Sequence, residues 1–176
     1  MPVANAPGSD IDLRSEVRQF HLRVDQAAAR LAEEHSERLQ CKRGCSGCCV
    51  DGITVFEIEA ENIRSNHTDL LENAEPHPNG ACAFLDSVGA CRIYKDRPYV
   101  CRTQGLPLRW IDEDEAAEFR DICPLNESGP PVEELASEDC WTIGPFEGEL
   151  ARIQSATGTM ARVALRELFA KKAAER

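Results

Sequence analysis

The stretch Cys41-Lys42-Arg43-Gly44-Cys45-Ser46-Gly47-Cys48-Cys49 places four thiols within nine residues. Gly44 and Gly47 free the backbone to fold back, so that several sulfurs can be aimed at one point. The two-residue gap from Cys45 to Cys48 is the usual turn for two thiolates on a single ion. Adjacent Cys48 and Cys49 normally point apart, which leaves one of them for a second ion or a bridge. Thiols this close imply ligation or oxidation, and that choice decides what kind of fold surrounds them.

Five more cysteines follow at 82, 91, 101, 123 and 140, with none before Cys41 and none after Cys140. The total of nine is odd, so one thiol is left over in any complete disulfide scheme. Met1–Asp10 is short, polar and acidic, without the basic and apolar regions of a secretory leader. A cytoplasmic protein is expected, in which thiols stay reduced and serve as metal ligands. On the same ground the sequons Asn66-His67-Thr68 and Asn126-Glu127-Ser128 carry no weight. The formal net charge of −11 argues against a general electrostatic hold on nucleic acid or anionic lipid. No apolar run reaches the length of a membrane span. A metal ion is the expected partner, with no membrane partner.

Outward from the cysteines, the chain reads as α+β: a small irregular metal-stabilised domain with short hairpins, flanked by amphipathic helices. Residues 1–40 form an N-terminal helix packing on the core, 41–140 the cysteine-rich domain, and 141–176 a C-terminal helix. Leu13, Val17, Phe20, Val24, Ala27 and Leu31 step by fours and threes, the stripe of a surface helix that should run to about Leu39. Asp10 or Asp12 is its candidate cap. Leu150, Ile153, Met160, Val163, Leu165, Leu168 and Phe169 suggest one C-terminal helix, weakened at Gly158 by about 1 kcal/mol relative to alanine. A shorter helix is expected from Thr54 to about Asn66, capped by Thr54 with Glu57 three residues on. Hairpins are expected at Ala83–Leu85 with Cys91–Tyr94, and at Leu106–Ile111 with Ala117–Cys123. Asp96 should cap a short helix over Arg97–Cys101, with Pro98 in its first turn. No internal repeat and no βαβ alternation occurs, which argues against a doubly wound sheet.

From Cys41 to Gly105 only 13 of 65 residues are Leu, Ile, Val or Phe. A segment this poor in large apolar side chains needs disulfides or metal to hold it. Metal removal is therefore expected to unfold the centre while the terminal helices keep some helicity. Cys82, Cys91 and Cys101 are available as further ligands, then Cys123 and Cys140. Thiolate-only ligation suits zinc, an iron–sulfur cluster or copper(I). Eight thiolates have capacity for two zinc ions, or for a cluster plus a zinc. Lys42, Arg43, Arg92, Lys95, Arg97, Arg102 and Arg109 interleave with the cysteines, and some of them should balance thiolate charge. His21 and His35 read as solvated helix residues, whereas His67 and His77 could each lend a nitrogen. There is no HExxH, no paired nucleophile and no phosphate-cradling glycine loop. The CxxxCxxC spacing of radical S-adenosylmethionine enzymes is present, but Gly47 stands where an aromatic usually precedes the last cysteine, and the strand–helix alternation of a barrel is missing.

Taken together, Cys41-x3-Cys45-x2-Cys48-Cys49, Cys82-Ala-Phe-Leu-Asp, Cys91-Arg-Ile-Tyr, Arg97-Pro98 and Cys101-Arg102 resemble the YkgJ-type cysteine cluster family, the CxxxCxxCC group of zinc- or iron-chelating domains. The resemblance runs from about Cys41 to Cys123. It implies a small bacterial protein that binds zinc or iron, the iron either as single ions or as an iron–sulfur cluster. It also implies Cys41, Cys45, Cys48, Cys49, Cys82, Cys91 and Cys101 as chelators, with Cys123 as an eighth; Cys140 falls outside it. Some larger relatives are flagellin lysine N-methylases, so an iron–sulfur-dependent enzyme or enzyme subunit is the alternative to a metal-binding module.

Overall fold

A computed structural model describes residues 9–172 of the chain. Its long helix α1 (Ser9–Glu34) buries Val17, Phe20, Val24 and Leu31, the stripe expected from the sequence. Asp10 and Asp12 fall inside the helix, and their side chains lie outside the described ones. The helix stops five residues short of Leu39. Turns at His35–Arg38 replace its last stretch and swing Arg38 inward, where Nε donates to the Asn126 carbonyl at 3.0 Å.

Three local readings are corrected by long-range pairing. Thr54 does not cap a helix; Thr54–Phe56 is a strand, β1, and helix α2 (Glu57–Asn66) begins after it. The partner of β1 is β5 (Arg162–Ala164), antiparallel, with Val55 opposite Val163. Gln154, wholly buried, supplies the missing helix cap by accepting the Ile58 N–H at 3.0 Å. The expected single C-terminal helix is split. Helix α5 (Ile143–Ser155) ends in a turn at Gly158, whose φ of +79° is open to glycine and strained for other residues. Then come β5 and a 3-10 helix, Leu165–Lys172. Met160, expected on the buried stripe, is exposed.

The hairpin read from the sequence at 106–123 is present as β2 (Leu108–Asp112) and β3 (Ala117–Asp121). The Asp112 carboxylate closes its turn by accepting the N–H groups of Asp114 and Glu115, both at 3.0 Å. A two-residue strand, β4 (Trp141–Thr142), adds in parallel on the other side of β2. The hairpin expected at 83–94 shrinks to one bridge, Leu85 with Cys91. Asp86 holds that turn by accepting from Val88 and Ala90 at 2.9 and 2.8 Å, and these donors keep its carboxyl below the usual carboxylate range. Helices α3 (Thr68–Asn73) and α4 (Tyr99–Arg102) complete the set. Asp96 does not cap α4; it accepts instead from Asn66 and His67. The whole is α+β with short hairpins, as the sequence indicates. No described helix is long and apolar enough to cross a membrane.

Two apolar clusters carry the packing. One joins α1 and α5 through Phe20, Tyr99, Trp141, Leu150 and Ile153. The other gathers Val55, Ile63, Phe84 and Ile93 from the middle of the chain around Leu165, Leu168 and Phe169. The middle therefore does own a core, but one completed by side chains more than 60 residues downstream. What lacks an apolar anchor is the cysteine loop itself, where Val50 is 53% exposed.

Between the clusters sits a buried polar link. His21, expected to be solvated, is 5% exposed, with Nε2 2.9 Å from Glu59 Oε1. The same oxygen accepts the Tyr99 N–H at 2.7 Å, the first amide of α4. Glu59 thereby ties α1 and α2 to the helix carrying Cys101. Removing one partner of a buried hydrogen-bonded link leaves the others unsatisfied, so Glu59→Ala should lower unfolding free energy by about 3 kcal/mol. Urea titration of the two proteins will measure it, and Glu59→Gln, which keeps an acceptor oxygen, should lose less than half as much.

Candidate metal centre

The loop after α1 is built from consecutive tight turns. The Cys45 N–H donates to the Lys42 carbonyl and the Cys49 N–H to the Ser46 carbonyl, each at 2.9 Å. Gly44, at φ +87°, lies against the 86–90 turn, with the Val88 carbonyl 3.5 Å from where a Cβ would be. The Cys82 N–H donates to the Cys49 carbonyl at 2.8 Å, and this bond brings the second cysteine segment to the first. The Leu85–Cys91 bridge then returns Cys91 toward Cys82, and α4 presents Cys101 to both.

Five sulfurs, those of Cys48, Cys49, Cys82, Cys91 and Cys101, act on one another electrostatically. The Cys49 S–H donates to the Cys48 sulfur, and this brings Cys48 down to about 6. Cys49 is correspondingly driven up, first by holding that shared proton, then by desolvation and by the charges of Cys48, Cys82 and Cys101. Burial raises Cys82. Burial, then the charge of Cys82, raises Cys91. Cys101 is pushed to about 12 by burial, with Cys82 and Cys91 adding to it. Arg97 opposes the trend at Cys48, Cys91 and Cys101. These thiols share a region without sharing a point. Among the described residues, no three His, Cys, Asp or Glu side chains stand together as a ready-made site for a metal ion.

Cys41 is placed differently. Its Sγ is 3.5 Å from Asn126 Nδ2, and Asn126 is wholly buried. That amide also donates to the Gly105 carbonyl and accepts the Gln40 N–H, both at 2.8 Å. The Asn126 N–H donates to the carbonyl of Cys123 at 2.7 Å, so one side chain ties the loop entrance to the Cys123 turn. Nothing in the sequence marked Asn126 beyond a sequon, because its role depends on neighbours 21 and 85 positions away. Cys45 and Cys123 are half-buried on their turns, and no described hydrogen bond joins either sulfur to another. Cys140 stands apart, buried and 3.6 Å from Arg120 Nη1. All nine cysteines are free thiols.

The basic residues divide. Arg102 pairs with Asp25 at 2.6 Å, Arg109 with Glu118 at 2.8 Å, and Arg92 donates to the Ala83 and Glu75 carbonyls. Arg97 alone among these acts on three of the five sulfurs. Of the two histidines considered as nitrogen donors, His67 is engaged elsewhere, paired with Asp96 at 2.9 Å, whereas His77 bonds with Ala83 and Arg166 through its backbone alone. His35 bonds the Asp139 carbonyl at 2.7 Å and is not a solvated helix residue.

Sulfur-only donors gathered from three separate stretches suit soft or borderline metals and clusters, not hard cations. No curated protein and no solved structure matches the chain. Residues 40–124 match the model of a family named CxxCxxCC and described as "Putative zinc- or iron-chelating domain". That interval begins one residue before the four-cysteine loop and ends one residue after Cys123, so it encloses the five-sulfur group with Cys41, Cys45 and Cys123 and stops short of Asn126 and Cys140. Over that interval, a little under half of the chain, the sequence is similar to the CxxCxxCC family of zinc- or iron-chelating domains.

Proposed function

We propose that the protein is a thiolate metal-binding module for zinc or iron, with Cys48, Cys49, Cys82, Cys91 and Cys101 as its inner ligands. Cys41, Cys45 and Cys123 complete the set from the loop entrance and the turn after β3. The observation that carries this reading is the mutual influence of five thiols drawn from three separate stretches. Thiols crowded in this way cannot all ionise unaided, because each charge opposes the next. A bound cation reverses that balance and releases their protons. Closing the sulfurs onto an ion falls to the 41–52 loop, which turns hold in place and no apolar anchor fixes. A structural zinc site of this kind is closed, so it would stabilise the loop and offer no vacancy for substrate.

A second reading keeps the same sulfurs and fills them with an iron–sulfur cluster serving an enzymatic step, such as the lysine N-methylation of larger relatives. One observation favours a polynuclear centre: five interacting sulfurs exceed the four that a single tetrahedral ion accepts. Anaerobic purification with metal analysis and a visible spectrum separates the two. Stoichiometric zinc in a colourless protein supports the module, and a brown protein that bleaches on reduction supports the cluster. A chain that takes up neither metal overturns both.

Binding must displace protons from Cys49, Cys82, Cys91 and Cys101, whose thiols hold them more firmly than usual. Apparent zinc affinity should therefore rise with pH between 6 and 8, by up to about tenfold per pH unit for each proton released. Competition with a chromophoric chelator at three pH values measures this, and a flat profile would contradict thiol ligation. Because the apolar cores lie outside the cysteine loop, stripping the metal should expose Lys42 and Arg43 to trypsin while near-ultraviolet dichroism from Trp141 is largely kept. Gly105 has φ +95°, and a Cβ there would lie 2.5 Å from Cys41 Sγ. Gly105→Ala should therefore lower stability by about 1–3 kcal/mol. It should also remove Cys41 from the metal site, and the thiol count protected from alkylation in the loaded protein reads that loss directly.

A further inference from the structure

A cleft of about 700 Å3 lies between α1 and the 94–106 segment. Its volume is that of a small-molecule site. The room exists because α1 turns Ala28, Ala29 and Ala32 toward the cleft, with Ser36 of the following turn beside them, where longer side chains would fill it. Cys41 lies at one edge, beside the metal centre. The charge of the wall is unlike that of the molecule. Lys95, Arg97 and Arg102 face the cleft, with Asp25 as the opposing carboxylate, in a protein of formal charge −11. At physiological salt the Debye length is about 8 Å, so charges elsewhere on the surface are screened and this local excess decides what enters.

The three cations are not equivalent. Arg102 is already paired with Asp25 and bonded to the Lys95 carbonyl at 3.0 Å. Arg97 has neither a carboxylate nor a carbonyl among its described contacts. Its guanidinium lies over the Tyr94 ring, 4.2 Å from the centroid, and its Nε is buried without a hydrogen-bond partner. Stacking on the ring holds the guanidinium plane and lowers the entropy lost when the fork grips a ligand. A guanidinium in this state matches a planar or tetrahedral oxyanion. Lys95 likewise has no described side-chain partner.

We propose that this cleft binds a small multivalent oxyanion, a dicarboxylate or a phosphate ester, gripped by Arg97 and Lys95 beside the metal centre. The site does not depend on which metal the sulfurs hold, and it goes beyond metal chelation by giving the protein a second ligand. Arg97 would then serve both neighbours, countering thiolate charge on one side and the ligand's charge on the other. Its test uses probes that do not strip thiolate-bound metal: succinate and glycerol 3-phosphate, titrated calorimetrically into the metal-loaded protein. Saturable one-to-one binding of either probe is expected, weakening as salt is raised, and the probe that binds identifies the anion class. Arg97→Gln should weaken it at least tenfold. Ala29→Leu, at an exposed position of α1 that lines the cleft, should do the same by filling it. Metal content and helicity, measured alongside, should be unchanged in Ala29→Leu. Absence of saturable binding by both probes overturns the proposal, as does binding that survives either substitution intact. Loss of metal without loss of anion binding would count against the chelation reading alone.

Discussion

Thiols held close together, half out of water, resist ionising, and that sets the terms for this molecule. Five of them come from three separate stretches, and each one that ionises makes the next harder to ionise. Only the Cys48–Cys49 pair relieves this internally, by sharing a proton. A bound cation would relieve it for all of them, which is a physical reason for a segment similar to the CxxCxxCC model to chelate metal. The rest of the fold serves to hold these thiols near one another. Backbone bonds do most of this, above all the one from the Cys82 N–H to the Cys49 carbonyl.

Part of the holding comes from outside the segment. The apolar clusters join its own Val55, Ile63, Phe84 and Ile93 to α1, α5 and the residues after Gly158, while Val50 of the cysteine loop stays in water. Two buried polar side chains connect cores to loop. Glu59 joins α1 and α2 to the start of α4, and so places Cys101. Asn126 joins Gln40, Gly105, Cys41 and the Cys123 turn, and so places the loop entrance. Buried polar groups that are fully satisfied fix a unique arrangement, because any slip leaves a donor or acceptor stranded. That suits a site which needs defined positions without a large apolar core. The cleft beside it follows from the same economy, since the small residues of α1 leave space where bulkier ones would close the packing.

The parts of the fold legible in the sequence were those with local causes. The α1 stripe is a 3.6-residue repeat in one window, and the 108–121 hairpin carries its own turn chemistry at Asp112. The parts misread had remote causes. Thr54–Phe56 looks like a helix start until Arg162–Ala164 is laid against it. The 150–169 pattern looks like one helix, because apolar spacing continues through a turn, a strand and a 3-10 helix that each bury residues for a different reason. His21 looks solvated until Glu59 arrives from α2. Asp96 looks like a cap until His67 and Asn66 claim it.

For the candidate site, the sequence by itself determined the chemistry. Nine thiols, four of them in one loop, with interleaved arginines, point to soft-metal chemistry, since residue type alone sets what a side chain can coordinate. It could not determine which sulfurs share a neighbourhood, which arginine stays among them, or that Asn126 governs Cys41. Those are distances between segments far apart along the chain. They depend on how two separate cores close around a loop with none of its own, and only the tertiary structure decided them.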